Sequence, residues 1–418
     1  MVDELSHEEA RRRLPENSLG FGDTSELAPL EGIIGQDRGV RALRFGLEMK
    51  GHGFNVYLAG QPGTGRRRAI VSFLKDMAET MPVPPDWCYV NNFEEPRRPK
   101  ALKLPAGKGA EFQKNMRWFV SEVKEALTKA FESEEYAGML KSTLEEIEEE
   151  THEVNKRMIR VAREAGFLLQ RSPVGLGVIP IVDGRQISEE ELAQLPPDIR
   201  GTIQRNREVL QDELRRALRQ LGKLEKKADA AVEEVNRRVA AFAMEHIFQM
   251  MGELYRDISE VKAFLEEVRE DVLDNLPVLL GDDEAQELME TLMNGYRVNL
   301  VVDNSALEGA PVVTEPHPTH RHIFGYMERE VRFGTMTTDF TLIRGGSAHR
   351  ANGGFLIIPV EDLFNDPHLW NSLKRAIRNE RLEIGDIPEP MEFMTTRILM
   401  PEPIPFDAKV ILVGSPQL

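Results

Sequence analysis

Residues 54–68 read FNVYLAGQPGTGRRR. A short β-branched and aromatic run, Phe54 to Ala59, enters a glycine-rich turn, and a helix-periodic segment from about Arg67 to Thr80 follows. Strand, glycine turn and helix in that order predict the opening of an α/β sheet. The turn has the glycine spacing of a phosphate loop, Gly60 and Gly65, and bare backbone amides at a helix N-terminus form a nest for anions. A working loop ends in G-K-[ST], with the lysine on the terminal phosphates and the hydroxyl on Mg²⁺. Here those two positions hold Arg66 and Arg67. Arg66 keeps the charge but exchanges a compact ammonium for a planar fork, and Arg67 cannot ligate a cation. Gly60, Gly63, Thr64, Gly65, Arg66 and Arg67 therefore read as a degenerate phosphate loop. ATP or ADP binding without efficient turnover, and a merely structural glycine turn, are the alternatives.

Toward the C-terminus, the second half of a Mg·nucleotide site is an apolar strand followed by Asp-Glu, one acid supporting the metal and the other activating water. The matching stretch is GGFLIIPVEDLF, residues 353–364. Pro359 stands directly after the apolar run, and a proline in a central strand removes a ladder donor. Glu361 and Asp362 come two residues later and would take over the acid roles, in reversed order, if the strand ran on through Val360. Further predicted strands are Trp87 to Asn91, as a second strand of the opening α/β sheet, Val298 to Val302, and Lys409 to Val413. Asp366 to Asn379 is a predicted helix.

Between these α/β zones the chain changes character. From about Gly109 to Asn294 it is rich in Ala, Leu, Glu, Lys and Arg. Leu214, Leu218, Leu221, Leu224, Ala228, Val232, Val235 and Val239 recur at three and four, which predicts a long helix and an antiparallel coiled-coil arm. Pro196 and Pro197 break it, and residues 172–188 read as a short hairpin between helices. The arm is either a solvated spacer or a surface that touches substrate or partner. The expected organisation is an N-terminal extension (1–29), a first α/β part (30–108), a helical insertion with a small hairpin (109–294) and a second α/β part (295–418). The fold class is thus α/β: one domain split by a long α-helical insertion.

The formal net charge of −17 argues against duplex binding, which needs Lys and Arg gathered on one face. Cys88 is the only cysteine, so there is no internal disulfide and no zinc-type spacing, and no metal site is expected. The N-terminus is polar, and no stretch approaches the roughly 20 apolar residues of a membrane span. These features predict a reduced, cytoplasmic protein that binds neither nucleic acid nor membrane.

The segments LEGIIGQDRGVRALRFGLEMKGHGFNVYLAGQPGTGRRR (30–68), WCYVNNFEEPRRPKALKLPAGKG (87–109), GYMEREVRFGTMTTDFTLIRGGSAHRANGGFLIIPVEDLF (325–364) and LKRAIRNERLEI (373–384) resemble the Lon-like peptidases of the B and C types. The double loss at Arg66/Arg67 and Pro359 is similar to the C-type group, whose members degrade unfolded proteins without ATP. The resemblance implies an AAA+-like P-loop core carrying the helical insertion, a homo-oligomeric, hexameric ring around a proteolytic chamber, and a peptidase domain with a Ser–Lys dyad. It also implies that Pro359 takes the Mg²⁺-associated acid position and that Ser415 falls near a polar sensor position. Because the sequence ends at Leu418, it reads as the portion before lid and peptidase, with no catalytic residue of its own.

Phe324 and Tyr326, flanking Gly325, are candidates for an aromatic grip on an extended chain in the pore, with core packing as the alternative. His349 and Arg350 would contact a neighbouring subunit or a phosphate, or serve structure alone. The expected role is ring assembly and admission of unfolded polypeptide to a chamber without ATP hydrolysis. An ATP-dependent unfoldase using Glu361 or Asp362, and a non-catalytic protein-binding module, are the rivals.

Overall fold

The structure, a computed structural model, describes all residues except 1–4, 9, 12–13, 16–17, 28–36, 50–52, 62–65, 173–174, 282–285, 333–334, 386–398 and 418. Helix α1 (Asp37–Glu48) leads into strand β1 (Val56–Ala59) and helix α2 (Arg66–Ala78). The chain then builds β2 (Asp86–Val90), β3 (Lys100–Leu104), α3 (Lys108–Phe131) and α4 (Glu134–Glu164). A hairpin follows, β4 (Phe167–Ser172), β5 (Gly175–Val182) and β6 (Arg185–Gln186), then α5 (Glu189–Ala193) and the 58-residue α6 (Pro197–Leu254). Helices α7 (Ser259–Asp274), α8 (Leu276–Leu279) and α9 (Gln286–Asn294) return the chain to β7 (Val298–Val302).

The last part holds β8 (Val312–Thr314), α10 (His320–Phe324), β9 (Tyr326–Met327), β10 (Glu330–Arg332), β11 (Thr335–Thr337), β12 (Ile343–Arg344) and α11 (Ser347–Arg350). It closes with β13 (Phe355–Pro359), α12 (Val360–Phe364), α13 (Pro367–Asn379), β14 (Arg381–Leu382), β15 (Ile404–Pro405) and β16 (Lys409–Gly414).

Four of these strands form a parallel sheet in the order β1-β16-β13-β8. Successive side chains point to opposite faces of a strand, and β13 is apolar on both. Phe355 and Ile357 join Leu43, Leu47, Ile70 and Leu74 of α1 and α2 on one side. Leu356 and Ile358 join Ile323, Phe324, Leu369 and Leu373 of α10 and α13 on the other. A strand buried on both faces reads as a continuous apolar run, as FLII does. Lys409, at the start of β16, donates from Nζ to the carbonyls of Gly46, Leu47 and Met49 at 2.8–2.9 Å, closing the C-terminal end of α1.

The expectation that Trp87 to Asn91 continues this sheet is corrected. Strand β2 lies in a separate antiparallel sheet, β3-β2-β7, with Tyr89 opposite Asn299 and Ala101. One face of that sheet, Cys88, Val90, Leu102 and Leu104, packs on Phe112, Met116, Val261 and Phe264 of the helices. Trp87, Tyr89 and Val302 face Met327, Phe340 and Ile343. The buried Asp86 carboxylate ties the layer together, accepting from Gly109 N–H and Asn304 N–H, both at 2.8 Å.

The helical body is held by edge-on aromatic pairs, Phe112 with Tyr255 at 5.0 Å and Phe119 with Phe248 at 4.9 Å. Helices α4 and α6 form the arm, burying Ile147, Val154 and Met158 against Leu210, Leu214 and Leu224. Leu218 departs from the predicted stripe and is 47% exposed. The strands β4-β5-β6 form an antiparallel sheet between the two arm helices in sequence.

Candidate functional site

The carboxyl ends of β1, β16 and β13 lie side by side, where parallel α/β sheets hold ligands. Gly60 follows β1 and donates its N–H to Gly414 O at 3.1 Å, binding the start of the glycine turn to the end of β16. Of the predicted phosphate loop, Gly63, Thr64 and Gly65 lie outside the described residues. Arg66 opens α2, and Arg67, next to it, is exposed.

On the acidic side, the strand does not run on through Val360. Strand β13 ends at Pro359, which pairs with Val413, and Val360 is already the first residue of α12. Glu361 and Asp362 stand in the first turn of that short helix, exposed, rather than at the end of a ladder. The proline is tolerated because pairing to β8 ends at Ile357, so the missing N–H falls where β13 has only β16 beside it. Its φ of −68° also suits the entry to a helix.

Glu361 is engaged with the neighbouring strand end. Its Oε1 accepts a 2.7 Å hydrogen bond from Ser415 N–H, while Tyr57 Oη donates to Ser415 O at 2.6 Å. The peptide groups of Ser415 are thus held from β1 on one side and α12 on the other. Gly414 has no room for a side chain: a Cβ there would lie 2.1 Å from Val360 Cγ1 and 2.8 Å from Tyr57 Oη. Tyr57 and its hydroxyl escaped the sequence reading; within FNVYLA only its place at the middle of an alternating edge strand distinguished it.

The aromatic pair Phe324 and Tyr326 does not form an exposed grip. Phe324 is 3% exposed, packed in the sheet's core with the His320 ring centroid 5.0 Å away. Tyr326 is half-buried beneath Arg321, whose guanidinium lies 4.4 Å from the ring centroid. Gly325 between them has φ +79°, and a Cβ there would stand 2.1 Å from Arg344 O, so this glycine lets two backbones meet. Apolar side chains near this pair that do face outward include Val331, 71% exposed, and Met336, 56% exposed, directly opposite each other in the β10–β11 hairpin.

The HRANGG motif (349–354) proves to be a packing device. His349 is fully buried, and its Nδ1 accepts from Gly346 N–H at 3.2 Å. Burial pulls its pKa down to about 3, so the ring is neutral. Its Nε2 and the hydroxyl of Ser347 are buried without hydrogen-bond partners. Asn352 clamps the loop before β16, donating to Pro405 O at 2.7 Å and accepting from Asp407 N–H at 2.8 Å. A Cβ on Gly354 would meet Pro311 O at 2.2 Å, which is how closely β13 and the approach to β8 pass. A contact of the His349 ring with a phosphate or a neighbouring subunit is incompatible with this burial.

Among the described residues no cluster of His, Cys, Asp and Glu could hold a metal ion, and no helix is long and apolar enough to cross a membrane. Positions 66 and 67 carry no hydroxyl that could ligate Mg²⁺, one carboxylate oxygen of Glu361 accepts from Ser415 N–H, and Asp362 beside it is exposed.

Two family models match the chain. The LonB-like AAA domain matches residues 308–418, the span that enters the parallel sheet through β8 and leaves it through β16. The Lon-like LonC helical domain matches residues 86–119, covering β2, β3 and the first half of α3. No curated protein matches the chain. Both matched spans, residues 86–119 and 308–418, are thus Lon-like, and they support membership of the Lon-like family for that part of the chain.

Proposed function

We propose that this chain is the ring-forming, substrate-gating AAA+-like part of a Lon-like serine protease that degrades unfolded proteins without hydrolysing ATP. The observation that carries the reading is the link Tyr57–Ser415–Glu361 across the strand ends. It engages one oxygen of the acid that would have to activate water and ties it to the neighbouring strand end, in a site whose loop already carries Arg66 and Arg67 in place of Lys and Ser/Thr and whose strand ends in Pro359. Three separate departures in the same site argue against a working motor better than any one of them.

In this reading the protein works as a homo-oligomer, a hexamer, in the cytoplasm, and its partners are unfolded polypeptides. The β10–β11 hairpin takes the gating role that Phe324 and Tyr326 were expected to fill. Val331 and Met336 offer apolar, sequence-tolerant contact to an extended chain. The long arm of α4 and α6 provides a solvated lever or partner surface. The test is degradation of an unfolded substrate by a protein carrying this chain together with a peptidase domain, measured with ATP, with ADP and without nucleotide. Equal rates support the reading, and proteolysis that requires ATP rejects it.

A further inference from the structure

Helix α13 turns a polar face toward α10 and β14. Asn371, Ser372, Arg375 and Asn379 fall at spacings that place them on one side of the helix. With His320 of α10 and Arg381 of β14 they line a cleft of about 400 Å³ floored by the buried Phe324 and Ala376. That volume is in the range of small-ligand sites.

The donors in this cleft are unspent. Arg375 makes no ion pair, and Asn371, Ser372 and Asn379 make no side-chain hydrogen bond, among the described residues. The acids nearby are already committed. Glu383 pairs with Arg381 at 3.1 Å, and Asp366 caps α13, accepting from His368 N–H at 2.9 Å and Leu369 N–H at 3.2 Å. In a chain with a net charge of −17, one guanidinium without an ion pair among the described residues, two amides and a hydroxyl thus line this cleft, with the Glu383 carboxylate beside them already paired to Arg381. Guanidinium and amide donors arranged in this way suit phosphate oxygens.

We propose that this cleft binds a small multivalent oxyanion, the phosphate groups of an oligophosphate or of a phosphorylated metabolite. The site is separate from the degenerate phosphate loop: α13 covers one face of the parallel sheet and α2 the other. The proposal therefore does not depend on whether that loop binds nucleotide.

The experiment is calorimetric titration of the whole chain with Mg²⁺-free inorganic triphosphate at fixed ionic strength. Saturable binding is expected, weakened at least tenfold by Arg375→Ala and by the pair Asn371→Ala/Asn379→Ala. Lys374→Ala should leave it unchanged, since the Lys374 ammonium lies over the Trp370 ring at 5.3 Å, outside the cleft. Circular dichroism melts confirm that each variant is folded. Absence of saturable binding at about 10 mM, a loss confined to Arg67→Ala, or an equal loss in Lys374→Ala overturns the proposal. Displacement of triphosphate by a lower concentration of a glutamate-rich peptide would overturn it as well, assigning the cleft to acidic polypeptide. Competition by inorganic phosphate at higher concentration supports a site that reads the phosphate group itself, and competition by a phosphorylated sugar at lower concentration supports a metabolite as source.

Discussion

Glu361 and Ser415 are 54 residues apart in the chain and joined by a 2.7 Å hydrogen bond, carboxylate oxygen to backbone N–H. The bond crosses from the first turn of α12 to the residue after β16, between the strand end where an acid would activate water and the strand end where a polar sensor would sit.

Breaking that bond should cost little stability and restore no chemistry. Glu361→Ala is expected to lose about 0.5–1 kcal/mol, since the group is exposed and water replaces part of the bond. A urea unfolding midpoint measures it. A loss above about 3 kcal/mol would show that the carboxylate holds more of the fold than Ser415.

Repairing the loop alone should give binding without turnover. The double change Arg66→Lys/Arg67→Ser is expected to raise affinity for Mg·ATP in calorimetry while phosphate release stays at background. The helix α12 still begins at Val360, and Glu361 remains bonded to Ser415. Hydrolysis by the native chain, falling in Glu361→Gln or Asp362→Asn, would sink the ATP-independent reading.

The exposed hairpin pair can be separated from folding. Val331→Asp/Met336→Asp is expected to leave the thermal midpoint nearly unchanged, because surface positions usually shift stability by less than about 0.5 kcal/mol. Degradation of an unfolded protein by an assembly carrying a peptidase domain should fall several-fold, while cleavage of a short peptide persists. Undiminished degradation would remove the hairpin from substrate handling. Phe324→Ala, by contrast, should destabilise by about 3–5 kcal/mol, as buried phenylalanines do.

His349 makes stability depend on pH with a definite sign. Its folded-state pKa is near 3 against an ordinary value of 6.5, so between those values the unfolded chain binds a proton that the folded chain does not. Stability is then full above about pH 6.5 and falls as pH drops, by up to about 1.4 kcal/mol per unit, until about pH 3. Urea midpoints at pH 5 and 7 should show that slope in the native chain and a shallower one in His349→Gln. Equal slopes would mean that other groups dominate acid sensitivity.

Several features were legible because they are local. The apolar run FLII announces a strand covered on both faces, and the glycine turn at Gly60 announces a change from strand to helix, whatever lies elsewhere. The stripe from Leu214 to Val239 requires a helix with one apolar side. Even Arg66, Arg67 and Pro359 declare their chemistry by residue type alone, since a guanidinium cannot ligate Mg²⁺ and a proline has no N–H to give.

Other features were decided only when distant segments met. A strand apolar on both faces, such as Trp87 to Val90, records that both faces will be covered but not which strand will lie beside it, and in the fold it lies next to Val298 to Val302 and packs on α3 and α7. Phe324 and Val331 are both apolar in a polar stretch, and only the fold of α10 against α13 buries the first while the hairpin exposes the second. The cleft of α10, α13 and β14 and the link from Tyr57 through Ser415 to Glu361 are likewise contacts across hundreds or tens of residues. Periodicity encodes the faces of an element through its own backbone geometry, whereas the occupant of each face is chosen by which buried surfaces fit together, and that choice is made only in the tertiary structure.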